Sequence, residues 1–336
     1  MIKVDMRDRK ILYQLDLDSR QSANQIGRKV GLSSGVVSYR INRLKETGII
    51  NNFYTLIDAM SIGFFPIRLH IKLQYITSKI IKEIIDYFVK NKYSALVAST
   101  DGIFDLSITI WVKDIHDFYD LLQEVKSKYG YYFQNYFPSF FIKELRFRQS
   151  YLMLNNYSNS DRNDYLLIGK RKIEEIDQLD LEILRFISSN ATVPLTKIGK
   201  MFNFTAEAIK YRIKRLIEKG VILGFKIDID VTKMGYQKFK TNIQLRNYSQ
   251  RKQIIDYIQH NSKLTNIDIN TGESDLELEF VLENIKQLHE IMYEIMDRFP
   301  NSIKNYDIIT LMKSHKFLFF PEHHDIASDK KESILK

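Results

Sequence analysis

Two segments of the sequence place basic and hydrogen-bonding side chains on what should be one helix face. The positions are Ser33, Ser34, Ser38, Tyr39, Arg40, Asn42, Arg43 and Lys45 in the first segment, and Thr205, Glu207, Lys210, Tyr211, Arg212, Lys214 and Arg215 in the second. Apolar residues recur at i, i+4 and i+7, as in Val37, Ile41 and Leu44, so each segment is predicted to be a helix with one buried stripe. Such a helix can enter the ~12 Å major groove of DNA, with residues near its start at base edges and Arg or Lys farther along at phosphates. The residues therefore predict a DNA contact in each segment.

Arg40 and Arg212 have a second interpretation. Each lies beside the apolar stripe, where it is also placed to pair with an acid of the first helix. The net charge of +9 agrees with a polyanionic partner but is weak support alone, since many basic proteins bind no polyanion. Both interpretations stay open at the level of sequence.

Shorter elements before each segment complete a helix-turn-helix. Asp5-x-x-Asp8 and Asp177-x-x-Asp180 are typical helix starts, with a capping carboxylate and a second acid in the first turn. In the first copy a second, short helix is predicted at about residues 22–31. Three helices in a row are therefore predicted in each unit.

Caps and a wing are predicted at the ends of the third helix. Ser33 and Thr205 are suitable N-caps, and Gly48 and Gly220 stand where a glycine ends a helix. A short β pattern follows at 49–57 and 221–229, with a tight turn predicted at 51–52 and 223–224 because Asn and Gly tolerate left-handed backbone. Each unit is therefore predicted to be a winged helix-turn-helix with its own two-stranded wing.

The chain is a repeat. Asp8 aligns with Asp180, an offset of 180 − 8 = 172, and the match runs without a gap as far as Gly63 and Gly235. Residues 155–164 are polar and lack an apolar period, which is typical of a linker. The predicted domains are a winged helix-turn-helix at 1–63, a ferredoxin-like domain at 64–154, a linker at 155–172, a second winged helix-turn-helix at 173–235, a second ferredoxin-like domain at 236–322 and a polar tail at 323–336.

The second half of each copy has the strand and helix order βαββαβ. The first copy alternates apolar and polar residues at 67–75, 95–100 and 106–112 and within 132–147, with helical periods within 81–88 and 115–125. The second copy repeats this with strands at 239–245, 264–269, 276–282 and 303–311 and helices at 250–260 and 285–298. This order is ferredoxin-like, so the predicted class is α+β with four domains in tandem. Helices cover one face of each sheet, and the other face is expected to meet a partner.

Glu277 and Glu279 alternate on the polar face of their predicted strand. Pairing across the sheet with Lys240 is one interpretation. A contact with Arg68 and Lys72 of the first copy is the other.

Composition excludes several classes of site. The chain of 336 residues has no cysteine, which removes disulfides, thiolate metal ligands and cysteine nucleophiles together. No apolar run reaches the ~18–20 residues of a membrane span, and residues 1–10 have no secretory pattern. No catalytic triad or paired-carboxylate arrangement stands out. We therefore expect a cytoplasmic protein that uses no cofactor or metal, makes no membrane contact and is not an enzyme.

The block from Asp8 to Gly63 resembles the Lrp/AsnC family of prokaryotic transcription regulators, and the ferredoxin-like half resembles the effector-binding and dimerisation domain of that family. The resemblance implies sequence-specific DNA binding and a small amino-acid effector. It places the effector at the turns that hold Gly102, Asp105, Gly272 and Asp275. Family members carry one unit per chain and dimerise through their sheets, so the fusion implies a pseudo-dimer within one polypeptide, with higher oligomers still open.

Two other functions are compatible with the same architecture. Siroheme decarboxylases resemble Lrp/AsnC proteins but carry an Arg/His-rich stretch at the wing, and residues 51–58 here contain neither Arg nor His. The single tryptophan, Trp111, also lacks the neighbours found in those enzymes. An architectural protein that coats DNA with little sequence preference is the other alternative, and the ratio of specific to non-specific affinity distinguishes it.

Overall fold

The computed structural model describes residues 4–153, 160–170, 172–318 and 320, so the predicted tail at 323–336 lies outside it. The helices are α1 (Met6–Leu17), α2 (Ala23–Val30), α3 (Ser34–Glu46), α4 (Ser78–Lys90), α5 (Ile115–Tyr129), α6 (Ser160–Asn163), α7 (Gln178–Ser188), α8 (Leu195–Phe202), α9 (Ala206–Glu218), α10 (Arg251–Ile258) and α11 (Ile285–Arg298). The strands are β1 (Ile50–Ile57), β2 (Phe65–Leu73), β3 (Ser94–Gly102), β4 (Leu106–Val112), β5 (Phe133–Arg146), β6 (Leu166–Ile168), β7 (Ile222–Ile229), β8 (Gln237–Leu245), β9 (Leu264–Thr271), β10 (Leu276–Leu282) and β11 (Ile303–Phe317). Over these described ranges, every helix is too short or too polar to cross a membrane.

The two three-helix units, α1–α3 and α7–α9, begin as the sequence predicts. Asp5 and Asp8 form a reciprocal capping box at α1, and Asp177 and Asp180 form the same box at α7. A side chain is excluded at Gly27, the residue that α2 presents to the turn, because a Cβ there would lie 2.4 Å from the carbonyl oxygen that follows the helix. The helix-turn-helix prediction is confirmed in both copies.

The predicted two-stranded wing within each copy is wrong. Residues 51–52 and 223–224 do not turn; they lie inside the single strands β1 and β7, which pair antiparallel with each other from Ile50↔Ile229 to Ile57↔Ile222. Each copy therefore contributes one strand to a shared wing. The physical reason is that the other copy supplies the partner edge, so each strand stays extended and satisfies its backbone hydrogen bonds across the repeat.

Each ferredoxin-like domain has the predicted four strands and two helices. The strand order is β3-β4-β2-β5 in the first copy and β9-β10-β8-β11 in the second. The apolar side of each sheet, including Ile67, Leu69 and Ile71 in the first copy, packs beneath α4 and α5 or beneath α10 and α11. Two hydrophobic cores result, one on the outer side of each sheet.

The uncovered faces of the two sheets meet because two long strands each belong to both. β5 pairs with β2 through residues 133–140 and with β9 through residues 140–146. β11 pairs with β8 through residues 303–310 and with β3 through residues 309–317. Eight strands thus form a closed ring whose inner side is made from both copies.

The described part of the predicted linker also joins the sheet. β6 pairs with the end of β5, with Glu144 opposite Ile168. Beyond it, the backbone N–H groups of Gly169 and Lys170 donate to the buried carboxylate of Asp58, at 3.1 and 3.2 Å. The end of the first wing strand is therefore tied to the segment that leads into the second copy.

Candidate nucleic-acid interface and interior cavity

The third helix of each unit, α3 or α9, presents a polar face to solvent. Its exposed members are Ser34, Ser38, Tyr39, Asn42 and Lys45 on α3 and Glu207, Lys210, Tyr211 and Lys214 on α9. Tyr39 and Tyr211 occupy matching positions and are each 67% exposed. The opposite faces are buried in the three-helix cores. These nine of the predicted DNA-contacting residues therefore remain together on accessible surfaces.

Arg40 and Arg212 make the ion pairs with first-helix acids that were one of the two interpretations considered for them. The Arg40 guanidinium lies 2.8 Å from a carboxylate oxygen of both Asp5 and Asp8. Arg212 repeats these contacts at 2.6 and 2.9 Å with Asp177 and Asp180. Each arginine therefore fastens the third helix of its unit to the start of the first.

These contacts also affect the capping acids. Partial burial alone would raise the pKa of Asp5, but hydrogen bonds from the Asp8 backbone and from Arg40 lower it. Burial would likewise raise the pKa of Asp177, but hydrogen bonds from Arg212 and from the Asp180 backbone lower it. Both carboxylates are stabilised in their charged form.

Arg43 and Arg215 each pair with a buried acid and are also partly exposed to solvent. Arg43 donates to Asp8 and Arg215 to Asp180, and in both acids the side chain is fully buried. About a third of each arginine side chain is still exposed, at 36%. Their charge is thus partly neutralised inside the unit, which weakens the expectation that they are the main phosphate contacts.

Ser33 and Thr205 act as helix caps. The Ser33 hydroxyl accepts from the backbone N–H of Val36 at 3.4 Å, and that of Thr205 from Ala208 at 3.1 Å. Both hydroxyls satisfy otherwise unpaired N–H groups, so their first role is to start α3 and α9.

The turns that the family resemblance assigned to an effector are internally bonded. Asp105 accepts from Lys72 Nζ at 3.0 Å and from the backbone N–H of Leu73 at 2.7 Å. Asp275 accepts from the backbone N–H of Leu245 at 2.7 Å and from the Tyr248 hydroxyl. Both oxygens of each carboxylate therefore already accept a hydrogen bond from the chain.

Gly102 and Gly272 lie beside these aspartates and have positive φ angles of 125° and 124°. A Cβ on Gly102 would lie 2.4 Å from the carbonyl oxygen of Ile308 on β11, and one on Gly272 would lie 3.1 Å from that of Pro138 on β5. These glycines allow the two sheets to approach at the corner strands.

Residues around the shared wing were missed by the sequence analysis. The Arg20 guanidinium lies 4.0 Å from the ring centroid of Phe225 in the other copy and donates to the carbonyl oxygen of Ala191 at 2.6 Å. Lys226, only 7% exposed, donates to the carbonyl oxygen of Asp16 at 2.7 Å. Nothing local in the sequence indicates these contacts, because their partners lie in the other copy.

A cavity of about 190 Å³ lies inside the ring of strands. Its charged wall includes Arg68 from the first copy and Lys240 and Asp268 from the second. Arg68 and Lys240 lie 3.0 and 2.9 Å from the same Asp268 oxygen, and both donate to Glu277. Both interpretations of Glu277, pairing across its own sheet and contact with the first copy, are therefore realised, whereas Lys72 pairs with Asp105.

The ion pairs of this cluster control its charge. Burial would lower the pKa of Arg68, but Glu277 and Asp268 raise it well above its usual range. Burial would raise the pKa of Glu277, but Arg68 and Lys240 hold it far below the usual range. Arg68 and Glu277 are therefore both charged at neutral pH although they are buried.

Comparisons with known proteins agree with the duplicated architecture. A family model for winged helix-turn-helix DNA-binding domains matches the chain twice, at residues 5–51 and 176–222. The regulator Ptr1 of Methanocaldococcus jannaschii is 26% identical over 119 residues, which is 35% of this chain and 80% of the relative. The regulatory protein AsnC of Haemophilus influenzae is 26% identical over 121 residues, covering 36% and 81%. The chain therefore carries two winged helix-turn-helix regions and is similar to regulators of the Lrp/AsnC type.

A solved structure matches the whole of this duplicated chain. The siroheme decarboxylase NirDL covers 98% of each chain with a TM-score of 0.62 and 12% identity. A second structure of that enzyme, in complex with an iron-uroporphyrin III analogue, has a TM-score of 0.61 and 13% identity. At this identity the likeness shows a shared fold. The expectation that this chain is not an enzyme is overturned, because the complete four-domain fold is also that of an enzyme.

Proposed function

We propose that the chain is a transcription regulator whose two helix-turn-helix units grip one DNA site as a pseudo-dimer within a single polypeptide. The observation that carries the proposal is the wing shared by β1 and β7. Its pairing is reinforced by backbone hydrogen bonds from Ser19 to Phe225 and from Ala191 to Phe53, both 2.9 Å long. Two units joined in this way present α3 and α9 as one assembly, as two subunits of a dimeric regulator do.

The exposed residues divide into two groups by their position on the helices. Ser34, Ser38, Glu207 and Lys210 lie in the first turns of α3 and α9, where they read base edges. The cations farther along, Lys45 and Lys214, contact phosphates together with the exposed parts of Arg43 and Arg215. The effector of the family resemblance is not needed for this contact.

The test is the salt dependence of binding to duplex DNA, measured by fluorescence anisotropy. Binding should weaken steeply with salt, and Lys214→Ala should reduce the log–log slope by about one, since each phosphate contact contributes about 0.9. Lys79→Ala is the matched control because Lys79 is equally basic but lies on α4, with 84% of its side chain exposed. Affinity that is independent of salt, or a control variant that changes the slope as much as Lys214→Ala, contradicts the proposal.

Assembly is tested by light scattering over a dilution series. The eight-stranded ring already uses both corner strands within one chain, so a single chain should be the smallest species that binds DNA. Larger assemblies built from such chains are compatible with this. A dimer that dissociates on dilution with loss of DNA binding would show that the sheets pair between chains.

A second candidate function is an activity on a tetrapyrrole, favoured by the whole-chain likeness to NirDL and by the cavity inside the ring. The cavity wall holds four basic side chains, Arg68, Arg146, Lys238 and Lys240, and four acidic ones, Glu144, Asp228, Asp268 and Glu279. A polycarboxylate would meet as many like charges as opposite ones, so DNA binding is placed first. Incubation of the protein with siroheme distinguishes the two functions. A shift of the main absorption band together with measured release of CO₂ would establish the second function.

A further inference from the structure

The inner side of the ring is polar where a protein core is usually apolar. His70, Asn242, Asn270 and Glu277 are all buried there, at 1%, 2%, 5% and 0% exposure. Burying polar groups costs free energy unless each finds a partner. An eight-stranded ring is just wide enough to be filled by side chains or to hold one small ligand, and the cavity of about 190 Å³ shows that side chains do not fill this one.

His70 lines this cavity without using its hydrogen-bonding capacity. Its ring stacks on Phe104 with centroids 4.5 Å apart, and neither ring nitrogen has a hydrogen-bond partner among the residues that the structure describes. Burial lowers the pKa of His70 to about 3, so the ring is neutral at physiological pH. A neutral imidazole has one donor and one acceptor, and the described residues use neither of them.

The rest of the wall differs in character from this polar end. Trp111, Phe141, Phe317 and Leu318 contribute aromatic and aliphatic surface. The volume compares with the ~150 Å³ apolar cavity that is known to hold benzene. A single ring with one small polar substituent is therefore of suitable size.

The charges of the cavity wall indicate which polar group a ligand can carry. The four cations and four acids of the wall balance, and Arg68, Lys240 and Asp268 already satisfy one another through ion pairs. A ligand with net charge would be buried without a free counter-charge, which is unfavourable. An uncharged group that both donates and accepts, such as a carboxamide, matches the imidazole without disturbing the pairs.

We propose that the cavity inside the ring binds one small uncharged aromatic molecule per chain, with its donor and acceptor group at His70 and its ring against Trp111 and Phe141. The site is single because the two copies differ here: the position matching His70, at 242 − 70 = 172, is Asn242, which does not line the cavity.

The cavity also touches the wing. Ile57 of β1 and Asp228 of β7 line it, so a bound ligand contacts the strands that hold the two helix-turn-helix units together. Occupancy should therefore change the affinity for DNA, a coupling that rests on the proposed regulatory function. Ligand binding itself does not depend on that function, since it is measured without DNA.

Benzamide, benzoate and benzamidine test the site because they share one shape and are neutral, negative and positive at pH 7. Benzamide should raise the melting temperature in proportion to occupancy and give a calorimetric stoichiometry of one per chain. Benzoate and benzamidine should not. No binding of benzamide up to its solubility limit, equal binding of a charged analogue, or two molecules per chain would overturn the proposal.

Three variants locate the site. His70→Phe keeps the stacked ring but removes both nitrogens, and should weaken benzamide binding about fivefold, the effect of one or two hydrogen bonds. Ala98→Leu fills the cavity, which Ala98 lines, and should abolish binding. Asn242→Leu is the control, a buried inner residue outside the cavity wall, and should leave the affinity unchanged. Benzamide affinity unaltered in the first two variants, both folded cooperatively, would place the ligand elsewhere. DNA affinity unaltered by saturating benzamide would refute the coupling alone.

Discussion

The two copies agree in their helix-turn-helix halves and differ on the inner faces of their sheets. In the first region Asp8 and Asp180 are both fully buried, both take part in a capping box and both pair with two arginines of the third helix. In the second region the copies hold different residues at matching positions. The pairs are His70 and Asn242, Ala98 and Asp268, Ser107 and Glu277, and Thr109 and Glu279.

The two copies are alike where each must stabilise itself and unlike where they contact each other. Each helix-turn-helix unit packs its own hydrophobic core, so both copies need the ion pairs that hold the third helix to the first. The inner faces of the sheets meet only each other, and fusion allows one copy to carry the acid and the other its cation, as in the pair of Glu277 with Arg68. Substitutions at matching positions of the two copies test this distinction.

Glu277 and Ser107 should differ most. Glu277→Gln removes the charge that Arg68 and Lys240 share, and should lower the free energy of unfolding by about 3 kcal/mol because it breaks a buried ion-pair cluster. Ser107→Ala, at the matching position, should cost less than about 1 kcal/mol. Urea denaturation measures both, and equal losses would show that the two inner faces are energetically equivalent.

Asp8 and Asp180 should behave alike. Asp8→Ala and Asp180→Ala each remove half of a capping box and the partner of two arginines that are partly exposed, so each should cost about 2–3 kcal/mol. Differential scanning calorimetry with urea titration compares them. If one variant is much more destabilised than the other, the fastening is not shared by the two copies.

His70 should give the first copy a pH dependence that Asn242 does not give the second. Because burial lowers the pKa of His70 to about 3, the unfolded chain binds a proton at higher pH than the folded chain does. Stability is therefore fully present above about pH 6.5 and is lost as pH falls, by about 2 kcal/mol at pH 5. His70→Phe should remove that part of the slope, whereas the exposed His260→Phe should not. An unchanged slope in the first variant would mean that His70 becomes protonated without unfolding the ring.

The features that could be predicted from the sequence are those that depend on residues close together in the chain. The capping boxes, the glycine stops and the alternation that buries Ile67, Leu69 and Ile71 all depend on neighbours within a few positions, and the helices and strands they predict are present. The shared wing and the closed ring depend on which distant edges pair, and no local pattern specifies that. The predicted turn at 51–52 failed because asparagine permits a turn without requiring one, and β7 supplied a better partner.

The candidate site divides in the same way. Periodicity separated the exposed face of α3 from its buried stripe, because that separation follows from helix geometry alone. Periodicity did not show whether Arg40 pairs with DNA phosphates or with the acids of α1, because a guanidinium suits both. The ion pairs with Asp5 and Asp8 depend on how α3 packs against α1, which periodicity does not specify. The cavity was not predicted, because it requires both inner faces and the positions of the corner strands.

The smallest expected effect concerns how the two third helices read DNA. Residues 34–38 of α3 are small or apolar, whereas α9 has Glu207 and Lys210 in the corresponding first turn, both exposed. A glutamate accepts from cytosine N4 and a lysine donates to guanine, while a serine hydroxyl bonds many base edges. The preferred site should therefore consist of two unlike half-sites, spaced by one or a few helical turns of ~10 base pairs each.

Replacing Glu207 and Lys210 together by serine should make the selected site more symmetric and cost about 1 kcal/mol at the contacted bases. Glu218→Ser, at the far end of α9 and away from the first turn, should leave the site unchanged. In vitro selection reads out all three proteins, and a perfect palindrome from the unaltered chain would show that the residues in which the two helices differ do not contact bases.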